Sequence, residues 1–183
     1  TTVDYTALRL AYASSPEYAP YVSPADDLRD TVSAALERSD YAAAINAADA
    51  ALAIDFLDVR AHVMRAYASE HSGDDAGAQR HHAIAARLVA SVTASGAGTE
   101  SSPYVVIAVA EEYAVLGLTG YAPRDQGIGR CGERRCDVIH AHEQQLLGHA
   151  LTKLADIDGL RILGPMTPEG RGAAISFEVD GVH

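Results

Sequence analysis

Apolar residues recur every three or four positions through four successive stretches of the first half of the chain. Leu28, Val32, Ala35 and Leu36 share one helix face, Tyr41, Ile45, Ala48 and Leu52 a second, Leu57, Ala61, Met64 and Ala68 a third, and Ala78, His81, Ala85, Leu88 and Val92 a fourth. The spacing predicts four amphipathic helices. Their ends are also marked: Asp40 and Asp74 or Asp75 stand where a side-chain oxygen caps the open N–H groups of a first turn, and Gly73 and Gly96 where helices stop. The pattern then changes. Tyr104 to Val109 is a continuous apolar run that reads as a strand, with Glu111-Glu112 after it as a solvated helix start. Tyr121 to Asp137 is rich in Gly and Arg and almost without aliphatic residues, which suits a linker or an irregular hairpin. Val138 to Ala155 returns to helical spacing, with Leu146, Leu147, Ala150, Leu151 and Leu154 in one stripe. Asp158-Gly159 makes a turn, and Leu160 to Leu163 and Ala173 to Val179 read as short strands.

The four helices repeat. A shift of about 34 residues, the tetratricopeptide period, lays Leu28 on His62, Val32 on Ala66, Ala44 on Ala78, Ala48 on His82 and Ala51 on Ala85. Small residues at Ala44, Ala51, Ala66, Ala78 and Ala85 suit close helix crossings. The fold class expected is α+β, mostly α: tetratricopeptide-like helical hairpins and a terminal strand over residues 1–120, a linker over 121–137, and a helix with two short strands over 138–183. Two repeats are fewer than the three or so that stabilise an open stack. The segment Tyr5 to Tyr21 and the run Tyr104 to Val109 are therefore the candidate caps. An unpaired apolar strand invites aggregation, so one expectation is a shared sheet between Tyr104–Val109 and Ala173–Val179. The other is two units on a Gly-rich tether.

Residues 4–120 resemble a bacterial family of tetratricopeptide-like domains of unknown function. The resemblance rests on Asp4-Tyr5 with Leu8-Arg9 and Tyr12, on the helices, on Ser95-Gly96-Ala97-Gly98-Thr99 and on Glu111-Glu112-Tyr113. It implies no catalytic activity. Residues 139–183 resemble part of the small domain of a sulfur-mobilisation-type cysteine desulfurase, within the class V aminotransferase fold. The matching residues are His140-Ala141-His142-Glu143, Gly159-Leu160-Arg161-Ile162, Gly164-Pro165, Arg171-Gly172, Ile175-Ser176-Phe177 and Asp180-Gly181-Val182-His183. That resemblance implies pyridoxal phosphate held on a Lys, and a Cys that passes on sulfur. The one Lys here, Lys153, lies on the amphipathic helix between Thr152 and Leu154, and both cysteines precede the matching region. The family's chemistry is therefore not carried over: no cofactor is expected and the chain reads as a non-enzyme.

Charge narrows the partners. Residues 1–120 carry sixteen acids against seven bases, so nucleic acid and anionic membranes are disfavoured. No apolar run reaches the length of a membrane span. The chain opens at Thr1 without an initiator Met, compatible with a removed leader or with a fragment. It is expected to be soluble, with an exported or periplasmic location favoured over a cytoplasmic one.

Candidate chemistry is sparse. Cys131 and Cys136 are too few for a four-ligand zinc site and read as free thiols, or as a disulfide after export. His140, His142 and His149 lack the i, i+4 spacing of a ligand pair. His62, His71, His81 and His82 read as groove-lining or core-edge residues, and Gly96 to Thr99 as a plain loop without the Lys of a phosphate-binding loop. The function expected is a non-catalytic module for protein–protein interaction. Its groove, formed by Leu28, His62, Arg65 and Ser69, would take a protein or peptide partner. The alternatives are a desulfurase fragment that acts in sulfur transfer only with a partner, and a chimeric or degraded reading frame.

Overall fold

The computed structural model describes residues 3–23, 25–119, 123–141, 143–164 and 175–179. Helix α1 spans Tyr5–Ala13, α2 Asp26–Glu37, α3 Tyr41–Ile54, α4 Val59–Ser72, α5 Asp75–Thr93 and α6 Val109–Leu118. Strands β1 (Pro123–Cys131) and β2 (Arg134–Ala141) follow, then α7 (Glu143–Ala155), β3 (Leu160–Leu163) and β4 (Ser176–Val179). Residues Thr1–Val115 form one compact unit and Leu116–His183 another. The protein is α+β and mostly α.

In the first unit, α2 packs on α3, α3 on α4, α4 on α5, and α1 on α5. Alanine makes these contacts close. One core gathers Val32 and Ala35 of α2, Ala44, Ala47 and Ala48 of α3, and Ala68 of α4. A second joins Tyr5 of α1 to Val59, Ala85 and Leu88. A third holds Ala25, Ala51, Leu52 and Ala61, with Leu28 packed against it. The helix ends follow the expected chemistry: Asp40 accepts from Ala43 N and Asp74 from Gly77 N. Gly73 closes α4 in the left-handed region (φ 82°), where a Cβ would be strained. Two more caps, Asp4 on Ala7 N and Asp58 on Ala61 N, complete the set.

Tyr104–Val109 does not form the expected strand. Residues 103–106 lack regular structure, and α6 begins at Val109. The reason is where the backbone groups go. Ser95 Oγ accepts from Val105 N, Arg9 Nη2 donates to Val105 O, Glu111 accepts from Ile107 N and Tyr18 OH donates to Ile107 O. Side chains satisfy what a neighbouring strand would have satisfied.

In the second unit, β1 pairs antiparallel with β2, and β3 with β4, in separate two-stranded sheets. The strand expected at Tyr104–Val109 for a shared sheet does not form, and β4 pairs with β3; Ala173 and Ala174 lie outside the described residues. The Gly- and Arg-rich stretch is a hairpin over its described part, turning at Gly132-Glu133. Cys131 and Cys136 are joined in a disulfide with Cα atoms 5.9 Å apart, so the free-thiol reading is corrected. The proximity comes from the turn, which returns the chain on itself within five residues. Leu151 is buried in α7, which packs on β3; the side chains of Leu146 and Leu147 lie outside the described residues.

Candidate functional site

The first unit is organised around a buried ion pair. Arg9, on the inner face of α1 one turn beyond Tyr5, is 1% exposed, and Glu111, in the first turn of α6, is 6% exposed. Arg9 Nε donates to Glu111 Oε1 at 2.6 Å and Nη2 to Oε2 at 2.7 Å, a bidentate fork. The other donors of Arg9 reach Ser91 Oγ (3.3 Å) and Val105 O (2.8 Å), while Glu111 Oε2 also accepts from Ile107 N at 2.8 Å. The expectation of a solvated Glu111 is corrected: its carboxylate is buried and takes a guanidinium fork and a backbone N–H in place of water. A charged residue on the apolar Tyr5-Arg9-Tyr12 stripe is the signal that could have revealed the pair.

Near this pair the loop after α1 is strapped to the start of α6. Tyr18 OH donates to Ile107 O at 2.6 Å, and Val109 N donates to Pro20 O at 3.0 Å. The chain then turns at Tyr21-Val22-Ser23 into α2. Between this loop, the N-terminus of α2, the α3–α4 turn and the 107–111 segment lies a cleft of about 230 Å³. Its apolar walls come from Tyr12, Val22, Leu57, Val59 and Ile107, and its polar part is Ser23, Asp26, Arg29, Asp55, Asp58 and Glu111. Tyr21 and Val22 stand at its rim, 85% and 67% exposed.

The charges in the cleft are unevenly matched. Arg29 Nη1 donates to Asp58 Oδ2 at 2.6 Å, and its Nη2 to Asp26 Oδ1, so one guanidinium serves two carboxylates. Asp55 is bonded by neutral donors, Ser23 Oγ at 3.3 Å and Leu57 N at 3.1 Å. Burial, and then the nearby charge of Asp58, push the Asp55 carboxyl above its ordinary range.

The residues expected to line a groove are placed elsewhere. His62 and Ser69 are fully buried and Arg65 nearly so, while Leu28 packs on the Ala51–Ala61 core. Arg65 Nε donates to Asp49 Oδ1 at 2.7 Å, Arg65 Nη1 bonds Ser69 Oγ, and Ser69 Oγ donates to Asp74 Oδ2 at 3.2 Å. These side chains knit α3, α4 and the α5 cap together. The physical reason is that α4 is flanked by both α3 and α5, which leaves that face no solvent.

His62 and His81 are a buried pair, with Nδ1 atoms 2.9 Å apart. His62 Nε2 lies 3.0 Å from Phe56 O, which can only accept; Nε2 of the neutral ring therefore carries the proton, Nδ1 accepts, and His81 Nδ1 donates. Burial lowers the pKa of His62. Burial, then His62, Arg65 and Arg80, push His81 down to about 4. A histidine whose folded pKa is depressed binds more protons when unfolded, so its contribution is complete above pH ~6.5 and is lost as the pH falls toward 4. We expect urea denaturation to show a loss on the order of 2–3 kcal/mol between pH 7 and pH 4.5. A His81→Gln variant should show a much shallower pH dependence; an unchanged slope would locate the sensitivity elsewhere. His71 and His82 lie outside this pair. His82 meets Glu70, and His71 Nδ1 faces Tyr67 O while its ring stacks on Tyr41.

Among the described residues no group of three or more His, Cys, Asp or Glu could hold a metal ion, and no helix is long and apolar enough to cross a membrane. His149 and Lys153 are exposed on α7, and the side chain of His140 and the whole of His142 lie outside the described residues. The Gly96–Thr99 stretch is a turn held by Ala97 N to Ser102 O at 2.8 Å.

A protein family described as "Domain of unknown function (DUF4919)" matches residues 1–150. The chain belongs to that family. Beside this family match stand short similarities to named proteins. A stretch of 69 residues is 51% identical to "Probable cysteine desulfurase 2" of Mycobacterium leprae, covering 38% of this chain and 15% of that protein. Stretches of 47 residues are 49% identical to a "Probable cysteine desulfurase" of Streptomyces coelicolor and 43% identical to one of Halobacterium salinarum, each covering 26% of this chain and 11% of the relative. The chain thus spans between about a tenth and a sixth of the curated relatives it matches. No solved structure matches. Both resemblances drawn from the sequence, to a family of unknown function and to part of a desulfurase, agree with these findings.

Proposed function

We propose that the chain is a non-catalytic, tetratricopeptide-like module that docks a protein partner at the cleft beside the α1–α2 loop. The observation that carries this reading is the exposure of Tyr21 and Val22 at the mouth of a cavity with apolar walls, in a unit whose helices close on alanine-rich cores. A rigid aromatic side chain beside a pocket is what interface anchors are made of. The Cys131–Cys136 disulfide favours an oxidising compartment, in keeping with an exported or periplasmic location.

Placing a photo-crosslinking amino acid at Tyr21 tests the reading in cells of the source organism, with the same group at exposed Glu37 on α2 as control. A discrete adduct from position 21 and none from position 37 is the expected result. No adduct from either would remove the docking role.

A second reading, favoured by the 51% identity over 69 residues, is that the chain contributes to sulfur transfer when a partner supplies a large catalytic domain. Lys153 is exposed on α7, and among the described residues nothing encloses it to tune an amine for a Schiff base. We therefore expect no visible aldimine band with pyridoxal phosphate and no sulfide release from cysteine by the isolated chain. A band abolished by Lys153→Ala would reverse the assignment.

A further inference from the structure

We propose that the cleft receives a lysine or arginine side chain of the docked partner, with the aliphatic stem along the apolar wall and the cationic head at Asp55. This rests on the docking reading above and names the chemistry of its partner. Charge complementarity supports it, in a groove that a docked chain would close. Asp26, Asp55 and Asp58 face a single guanidinium, Arg29, which is already divided between Asp26 and Asp58. Glu111, which also lines the cleft, is matched by Arg9 and adds no demand. Asp55 takes one hydroxyl and one backbone N–H, which leaves acceptor sites on a carboxylate able to take about four hydrogen bonds.

An uncharged segment laid over this mouth would strip water from Asp55 and return no counter-charge, a desolvation cost that opposes binding. An acidic or phosphorylated segment would add repulsion to that cost. A basic side chain reverses both effects. Its methylene stem matches the walls formed by Tyr12, Val22 and Ile107, since long cationic side chains bury their stems and keep the head at a polar site. Tyr21, exposed at the rim, would cover the stem from outside.

The test uses the full chain labelled with nitrogen-15 and three blocked pentapeptides, identical except for a central Lys, norleucine or Glu. We expect saturable shifts of the Ser23, Asp55 and Leu57 amide signals with the Lys peptide, and binding weaker by about tenfold or more for the other two, a difference of about 1.4 kcal/mol. Asp55→Asn should abolish the preference while its spectrum stays folded; raising the salt should weaken the wild-type preference in the same direction, so the idea does not hang on one variant. Equal binding of the Lys and norleucine peptides would overturn it and leave an apolar docking site. Spermidine binding more tightly than the Lys peptide would also overturn it, in favour of a free amine. If none of the peptides shifts these signals while position 21 still crosslinks a partner, docking stands and the basic side chain is wrong. Failure of the crosslink as well would remove both.

Discussion

Arg9→Ala should destabilise the first unit by about 3–5 kcal/mol, a large share of the roughly 5–15 kcal/mol that holds a typical domain folded. The cost comes from what is left behind. Without Arg9, Glu111 keeps the Ile107 N–H as a donor but loses its counter-charge, and Val105 O and Ser91 Oγ lose a donor. Arg9→Lys should recover only part of the loss, because an ammonium cannot make the two parallel bonds of the fork. The double change Arg9→Met with Glu111→Leu removes the stranded charge and should be milder than Arg9→Ala. It does not restore wild-type stability, since Ile107 N and Val105 O would still lack their partners. Urea denaturation at pH 7, followed by helix circular dichroism, reads all three. A loss below about 1 kcal/mol for Arg9→Ala would mean that the pair is solvated in solution.

Ala51→Glu should be comparably severe, at roughly 3–5 kcal/mol. Ala51 is fully buried against Ala25, Leu52 and Ala61, with Leu28 packed alongside, so the cluster offers no cation to meet a carboxylate and no room for its stem. Ala51→Leu separates the two effects, since it keeps the added volume without the charge and should cost about 1–3 kcal/mol. The neighbouring Ala50 is exposed on the same helix, and Ala50→Glu should stay within about 0.5 kcal/mol of wild type. If Ala50→Glu and Ala51→Glu melt alike, the packing of α3 described above is wrong.

The sequence by itself determined four helices of the first unit, α2 to α5, because their apolar spacing, aspartate caps and closing glycine are local signals that need no distant partner. Helices α2 to α5 fall where Leu28 to Val92 place them, and β3 falls on Leu160 to Leu163. It also determined that alanine would meet alanine between α3 and its neighbours, since Ala44, Ala48 and Ala51 fall on inward faces of that helix. Tertiary structure alone decided the rest, and in each case through a partner far along the chain. Arg9 and Glu111 are 102 residues apart, so neither one shows from its own surroundings that the other will neutralise it. Tyr104 to Val109 has the apolar character of a strand, yet Arg9, Tyr18, Ser95 and Glu111 take its hydrogen bonds first. His62, Arg65 and Ser69 look like groove residues on a helix wheel, but α3 and α5 cover α4 from both sides and turn them into an internal polar network. The cleft is likewise assembled from segments near residues 12, 21, 29, 55 and 107. Periodicity describes one element at a time, and a site made of five needs the packing that brings them together.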